Sequence, residues 1–214
     1  MDMDMDQNTS HAVMQQRRES LDSLDDFPTP PWATRALIKH VIQPLMPRRS
    51  LMRDTVWEPS CNRGYMSKAL KESFYHVCES DIADYGGNVV MDFLDGFSGV
   101  GYYDWIITNP PFNKAEDFIR RCGDLSPRAG YAMLVRTAFL EGVGRYDRIF
   151  MKNPPNVVAQ FSERVPMVKG RYDPKASTAT SYCWLVWMTQ WRAGETVLTW
   201  IPPCRRQLEK DGDA

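Results

Sequence analysis

The stretch TVWEPSCNRGYMSKALKESF, residues 55–74, decides the fold class of this chain. It begins with a short apolar run of β-prone residues that stops at Glu58-Pro59. Gly64 then introduces apolar residues that share one helical face: Met66, Ala69, Leu70 and Phe74. The stretch therefore predicts a strand, a polar loop and a helix in succession.

The same order recurs along most of the chain. Further strands are predicted at residues 76–78, 89–91, 105–108 and 131–135, and the first three lead into polar loops. Helical patterns occupy residues 33–43 and 115–122. Strands that alternate with helices indicate an α/β fold with a mostly parallel, doubly wound sheet. Ligands of such sheets bind beyond the carboxyl ends of the strands.

Two more apolar runs, at 182–188 and 196–200, lie close together without a helix-length connection, which predicts an antiparallel hairpin at the sheet edge. Residues 1–26 have few large apolar side chains and no sustained period, so we expect a flexible N-terminal tail. One domain is predicted over residues 27–206, and the charged residues 207–214 are expected to fray.

The composition restricts the classes of function. A net charge of -1 gives the whole molecule no attraction for a polyanion, so nucleic-acid binding would need a local basic surface. The five cysteines are odd in number and form no C-x-x-C pair, which predicts free thiols and no metal site. Without an apolar run long enough to cross a bilayer, we expect no membrane partner and a cytoplasmic protein.

The motif Asn109-Pro110-Pro111-Phe112 directly follows a predicted apolar strand. An aromatic amino group is a poor nucleophile because its lone pair is delocalised into the ring. The Asn109 side-chain oxygen and the Pro110 carbonyl could accept its two N–H groups, and the prolines would fix the backbone. Phe112 would offer a flat face to an extruded base. An isolated N-P-P-F is equally compatible with an ordinary proline-rich turn.

The loop Glu58-Pro59-Ser60-Cys61-Asn62-Arg63-Gly64 lies between a predicted strand and a helix. Its small residues would let the backbone approach a ligand closely, and Glu58 could hold a cationic group. The sequence contains no G-x-G-x-x-G, the motif expected for a nucleotide pyrophosphate. The alternative is an ordinary helix N-terminal turn.

Two acids at the ends of predicted strands would fit a ligand that carries a ribose and an adenine. Asp81 could accept from ribose hydroxyls and Asp92 from an adenine amino group, with Phe93 packed on the adenine ring. Each acid could equally be a solvated turn residue, and Glu79 and Asp84 are rival candidates near the first.

Five short segments together resemble the N6-adenine DNA methyltransferases, in particular the small phage and prophage members. They are F-P-T-P-P (27–31), E-P-S-C-N-R-G (58–64), S-D-I (80–82), D-F-L (92–94) and N-P-P-F (109–112). The resemblance covers roughly residues 27–206. It implies a Rossmann-like class I methyltransferase fold with a seven-stranded sheet, S-adenosylmethionine as cofactor and DNA as partner.

The resemblance also implies roles for individual residues. Thr29 and Pro30 would line the cofactor pocket, and residues 58–64 would cradle the methionine part of the cofactor. Asp81 would take the ribose, Asp92 with Phe93 the adenine, and residues 109–112 the target base. The chain departs from the commonest pattern at Asn62, where glycine is usual, but asparagine tolerates a left-handed backbone.

The chain has no room for the separate target-recognition domain of restriction-type members, so we expect low sequence selectivity. The loop 165–180 carries Lys169, Arg171 and Lys175, which are candidates for contacting phosphates, although an ordinary solvated loop would look the same. Arg136, just beyond a predicted strand, is a candidate for the mouth of the active site.

The chemistry expected from these residues is direct transfer of the sulfonium methyl group to the amino nitrogen, without a nucleophilic cysteine or a metal. Alternatives with the same chemistry are cytosine N4, adenine in RNA and a protein glutamine amide. An alternative of another class is a module that keeps the fold and binds DNA or a partner without catalysis.

Overall fold

The computed structural model describes residues 25–95, 103–191 and 195–213. In these ranges the strands are β1 (Thr55–Glu58), β2 (His76–Asp81), β3 (Val89–Val90), β4 (Trp105–Thr108), β5 (Gly130–Arg136), β6 (Val157–Phe161), β7 (Tyr182–Met188) and β8 (Val197–Ile201). They form one mixed sheet with the order β3-β2-β1-β4-β5-β7-β6-β8. Neighbouring strands are parallel except where β7 lies antiparallel between β5 and β6.

The helices of the same ranges are α1 (Pro31–Leu37), α2 (Gln43–Leu45), α3 (Tyr65–Lys71), α4 (Ala115–Leu125), α5 (Val143–Arg145) and α6 (Arg205–Leu208). A π-helical turn, Ile38–Ile42, joins α1 to α2, so the predicted helix at 33–43 belongs to one longer helical segment. A second π-helical turn, Tyr146–Phe150, follows α5, and 3-10 turns lie at Leu51–Arg53 and Thr137–Leu140.

Alternate residues of the central strands pack on opposite faces of the sheet, as the period of a strand requires. One face joins Val56, Trp105 and Leu134 with Trp32 and Leu70 of the helices α1 and α3. The opposite face is covered by α4, and its core is a cluster that includes Trp57, Ile106, Phe118, Tyr131, Met133 and Trp187. Because helices cover both faces, the central strands are almost continuously apolar.

The carboxyl ends of the parallel strands meet at one edge of the sheet. β1 ends at Glu58 beside β2, and β4 ends at Thr108, which pairs with Met133 of β5. The loops that follow β1, β2, β4 and β5 therefore start from the same edge. These loops and the strand ends before them contain the predicted residues 58–64, Asp81, 109–112 and Arg136, whereas the other predicted site residues lie before α1, after β3 and between β6 and β7.

The predicted α/β fold with a mostly parallel sheet is confirmed, but the predicted C-terminal hairpin is wrong. β7 has β5 on one side and β6 on the other, so both of its edges are already paired. β8 pairs instead with the outer edge of β6, in parallel. β6 was not predicted from the sequence and raises the strand number in the described residues from the expected seven to eight.

The chain ends differ from expectation where the structure describes them. Residues 1–24 of the predicted flexible tail lie outside the described residues, but Asp25 and Asp26 contact the loops at the strand ends. Near the C-terminus, where fraying was expected, Leu208 and Asp213 are buried and Asp213 is paired with Arg35. No helix in the described part of the chain is both long and apolar enough to span a membrane.

Candidate active site

A cavity of about 310 Å³ lies beyond the carboxyl ends of β1 and β4. Three segments that are distant in the sequence line it: the N-terminal segment through Asp25 and residues 27–29, the loop after β1 with the start of α3, and the loop after β4. The predicted site residues among its walls are Thr29, Glu58, Cys61, Asn62 and Asn109. Glu58 and Asn109 thus face the same space, as a shared ligand site requires.

Glu58 is a buried carboxylate at the end of β1, with 2% of its surface exposed. Burial raises the pKa of Glu58 well above its ordinary value. The hydroxyl of Ser67 donates to the carboxylate and opposes this shift, while the negative charges of Glu79 and Asp81 reinforce it. A carboxylate so poorly solvated favours the approach of a cation into the cavity.

The loop after β1 turns through two residues with a left-handed backbone, Asn62 (φ 50°) and Gly64 (φ 77°). Asn62 therefore has the conformation for which glycine is usual, as the sequence suggested. The turn lets the Asn62 backbone N–H donate to Asp81 Oδ2 at 2.9 Å, while its side-chain amide donates to Asp26 Oδ1 at 2.7 Å. Gly64 itself shapes the start of α3 and is not among the residues that line the cavity.

An adjoining cavity of about 630 Å³ shares part of its wall with the first. It is lined by Pro59, Asn62, Asp81, Asp92, Phe93 and Pro111 of the predicted residues. Asp81 also accepts from the Ala83 backbone N–H at 3.1 Å, and Asp92 accepts from Leu94 N–H at 2.8 Å. These bonds hold one carboxylate at the end of β2 and the other at the start of the turn after β3.

The apolar part of the second cavity is formed by aromatic rings. The Phe93 ring packs edge-on against Trp57, with centroids 5.0 Å apart, and lies 4.7 Å from the ring of Phe118. Phe93 is 3% exposed, so its position is set by the core. A flat apolar wall next to Asp81 and Asp92 matches the two kinds of surface that a nucleoside presents.

Asn109 has one end of its side chain fixed and the other end open. Its Nδ2 donates to the Phe27 carbonyl at 3.0 Å, which orients the amide. Its Oδ1 is buried, and among the described residues it finds no hydrogen-bond donor. The Ser60 hydroxyl reaches the Asn109 carbonyl at 3.4 Å and links the two loops. A buried acceptor without a donor is rare in folded proteins, and it points to a ligand that donates.

Phe112 lies between Phe27 and Arg136. The Phe27 ring centroid is 5.3 Å away, and the Arg136 guanidinium carbon is 3.8 Å from the centroid of the Phe112 ring. Arg136 is exposed and lines a further cavity of about 550 Å³ with Phe112, Phe139 and Arg145. The side chain predicted at the mouth of the site is therefore stacked on the predicted base platform.

The sequence did not identify Asp25 and Asp26 as site residues, because they were assigned to the tail. The Phe112 N–H donates to Asp25 Oδ2, and Arg63 pairs with Asp26 at 2.8 Å. Burial opposes ionisation of Asp26, but hydrogen bonds from Arg63 and Asn62 together outweigh it and lower its pKa. The feature of the sequence that could have identified them is the pair of acids directly before F-P-T-P-P.

The remaining predicted residues lie at the border of the site or away from it. Pro30 and Pro110 are buried and are not among the residues that line the cavities described above. Lys169, Arg171 and Lys175 are exposed on the connection between β6 and β7. This connection touches the N-terminal segment, because Gly170 N–H donates to the Asp26 carbonyl at 2.8 Å.

Cys61 does not have the properties of a nucleophile. Burial, reinforced by the charges of Glu58 and Asp81, raises the pKa of its thiol far above neutrality. The described cysteines are all free thiols. Apart from Cys61, the polar and aromatic side chains that line the first two cavities are carboxyl, amide and hydroxyl groups, aromatic rings and the ammonium of Lys114.

The sequence matches no protein-family model and no curated protein. Among solved structures, the chain is similar to a modification subunit ascribed to a type I restriction enzyme of Vibrio vulnificus YJ016, with 16% identity and a TM-score of 0.53. The match covers 80% of this chain and 45% of that one, so the chain spans less than half of its length.

Two other similar structures have lower scores. A dimethyladenosine transferase from Plasmodium falciparum has 14% identity and a TM-score of 0.49, over 76% of this chain and 63% of that one. The 23S rRNA methyltransferase ErmE has 16% identity and a TM-score of 0.46, over 72% and 68%. The strand order, with β7 antiparallel, and the similarity to the modification subunit identify the fold as that of the class I methyltransferases.

Proposed function

We propose that this chain is an S-adenosylmethionine-dependent methyltransferase that modifies an exocyclic amino group, with adenine N6 in DNA as the favoured acceptor. The observation that carries the proposal is the Asn109 Oδ1 atom, which is buried and without a donor among the described residues. An incoming amino group would supply the missing donor. The Phe27 carbonyl holds the amide in the required orientation, because it takes the Asn109 NH2.

The loop after β4 would hold the amino group that receives the methyl group through two oxygens, the first of which is Asn109 Oδ1. Pro111 already uses its carbonyl to accept from Lys114 N–H at 2.8 Å, which holds the far side of the loop. We assign the second oxygen, which would accept the other N–H of the amino group, to the Pro110 carbonyl. With both N–H groups held, the nitrogen lone pair is directed away from the ring and towards the donor.

The cavity walls fit the proposed cofactor. Glu58 is a desolvated carboxylate suited to the ammonium of its methionine part, and Asp81 and Asp92 are placed for the ribose and the adenine amino group. The walls of the two cavities carry Asp25 and Asp26 as well, against Lys114, so they favour a cation over a pyrophosphate. When bound, S-adenosylmethionine would supply a methyl group on a positively charged sulfur; the acceptor nitrogen would take this methyl group, S-adenosylhomocysteine would leave, and an amine proton would pass to solvent.

Phe112 would receive the face of the acceptor ring. In the free protein the Arg136 guanidinium covers one side of this ring, so a base that stacks there displaces it. A displaced arginine can pair with a phosphate of the same strand. Nucleic-acid contact by Arg136, Lys169, Arg171 and Lys175 is part of the proposal, and so is low sequence selectivity.

The function is tested by transfer of a labelled methyl group to DNA, RNA and protein acceptors. We expect label in DNA, and mapping of the modified base should find N6-methyladenine. Label in cytosine, RNA or glutamine would show that the proposed acceptor is wrong, while the proposed methyl transfer to an amino group would stand. Cofactor binding without transfer to any acceptor would favour the non-catalytic module, and the absence of cofactor binding would overturn the proposal.

Asn109→Ala tests the role of the unpaired oxygen. Since the amide acts on the acceptor, we expect kcat for DNA methylation to fall about a hundredfold, the scale seen when a single polar contact to a reacting group is removed. The Kd for S-adenosylmethionine should change less than about twofold. Asn113→Ala is the matched control, because Asn113 is exposed directly after the motif. Normal turnover by the Asn109 variant would contradict the assigned role.

A further inference from the structure

We propose that the Asp25 carboxylate recognises the positive charge of the sulfonium donor and so allows the protein to distinguish the donor from its neutral product. The inference rests on the proposed function, because it concerns the same cofactor site. It assigns a role to a residue that the motifs of the sequence did not include.

Asp25 lies where the two cavities meet. The first cavity contains Glu58 and the second contains Asp81 and Asp92. Asp25, Ser60 and Asn62 line both of them. A ligand with an amino-acid part in the first cavity and a nucleoside part in the second must pass these three residues. In the proposed cofactor, the sulfonium is the group that joins those two parts.

Of the three shared residues, Asp25 alone carries a charge. The other two side chains are neutral: the Ser60 hydroxyl donates to the Asn109 carbonyl, and the Asn62 amide donates to Asp26. A carboxylate at a partly buried position attracts a cation more strongly than it would in bulk water, because the surrounding dielectric is lower. The product, S-adenosylhomocysteine, has a neutral thioether at this position and is not attracted in this way.

Contacts on both sides hold Asp25 at this position. The Phe112 N–H donates to its carboxylate, which ties the residue to the loop after β4. The next residue, Asp26, pairs with Arg63 at 2.8 Å and accepts from the Asn62 amide, which ties the segment to the loop after β1. The carboxylate is therefore held between the loop that would bind the donor and the loop that would bind the acceptor.

The test compares two ligands that differ by one methyl group and one charge. The Kd of S-adenosylmethionine and that of S-adenosylhomocysteine are measured by calorimetry for the full chain and for Asp25→Asn. The asparagine oxygen can still accept from Phe112 N–H, so the substitution removes mainly the charge. We expect the Kd of the donor to rise about tenfold, a modest part of the Coulomb energy available at such a site, and that of the product to change less than about twofold.

The outcomes separate the inference from the proposed function. If neither ligand binds the wild-type chain, the proposed function fails. If both bind and Asp25→Asn changes the two Kd values equally, or changes neither, the inference is overturned and the function stands. Circular dichroism checks the fold of the variant. If it does not fold, Asp25→Ser, which keeps a short oxygen acceptor without the charge, takes its place with the same criterion.

Discussion

Glu58 is a buried carboxyl group, and its burial reduces the stability of the free protein where the group must ionise. Burial, the largest influence, raises its pKa above that of the unfolded chain, where it is about 4.3. Between these two pKa values the folded protein binds more protons than the unfolded one, so the contribution of Glu58 to stability falls as the pH rises. The free protein should therefore lose stability from this group above the unfolded pKa.

Glu58→Gln tests this consequence, since glutamine keeps the shape and can accept from Ser67. At pH 8 we expect the free energy of unfolding to rise by about 1 kcal/mol, because glutamine does not ionise and so removes the loss of stability that burial of an ionisable group causes. The difference between variant and wild type should shrink towards pH 5, and the variant should bind S-adenosylmethionine more weakly. Denaturant titrations at both pH values measure the first effect and calorimetry the second. An identical pH dependence in the two proteins would contradict the interpretation.

At the scale of elements, the loop after β1 depends on the left-handed backbone of Asn62. Asn62→Ala should lower the free energy of unfolding by about 1 kcal/mol relative to Asn62→Gly, because alanine is strained at a positive φ. It should also weaken cofactor binding more than the glycine variant does, since the same turn brings the Asn62 N–H to Asp81. Both variants lose the amide bond to Asp26, so the comparison isolates the backbone. Equal stability and affinity would rule out this account.

The strands also show where prediction from local sequence patterns fails. β1, β2, β4, β5 and β7 were predicted close to their observed positions because their apolar runs end at clear turn residues. β6, Val-Val-Ala-Gln-Phe at 157–161, was missed, since a short apolar run does not distinguish strand from helix by itself. Because β6 was missed, the prediction paired β7 directly with β8. In the sheet, β6 lies between these two strands.

At the scale of the whole molecule, Arg35 connects three distant parts of the chain. Its guanidinium, with 7% of the side chain exposed, bonds to Asp213 at 2.7 Å, to Glu72 at 2.7 Å and to the Leu208 carbonyl at 2.7 Å. It thus joins α1 to the end of α3 and to the segment after α6. Removing Asp213 would leave this buried guanidinium with one carboxylate partner, Glu72, in place of two, and part of its charge would lose its compensation.

Asp213→Ala should therefore lower the free energy of unfolding by about 3 kcal/mol, as measured in denaturant. Asp117→Ala is the control, because Asp117 pairs with Arg120 on the surface and its loss should cost less than about 0.5 kcal/mol. Equal losses in the two variants would show that the chain end does not stabilise the domain.

The same ion pairs predict how stability changes in acid. Hydrogen bonds from Arg35 and Lys210 lower the pKa of Glu72. For Asp213, burial opposes ionisation, but the bonds and charge of Arg35 outweigh it and lower the pKa. This stabilisation is present above the unfolded pKa values of about 4 and is lost as the pH falls through the lower folded values. Thermal unfolding of Asp213→Ala between pH 6 and 3 should show a weaker decline than that of the wild type.

The sequence by itself determined the class of fold and the loops that carry the candidate site, because strands, turns and helices depend on the spacing of nearby residues. The tertiary structure alone decided which distant groups meet. Asp25 lies beside the loop of Phe112, 87 residues away in the chain, and Arg35 lies beside Asp213, 178 residues away. Such contacts depend on how the layers pack and on which strand edges are free, and no local pattern of residues encodes either.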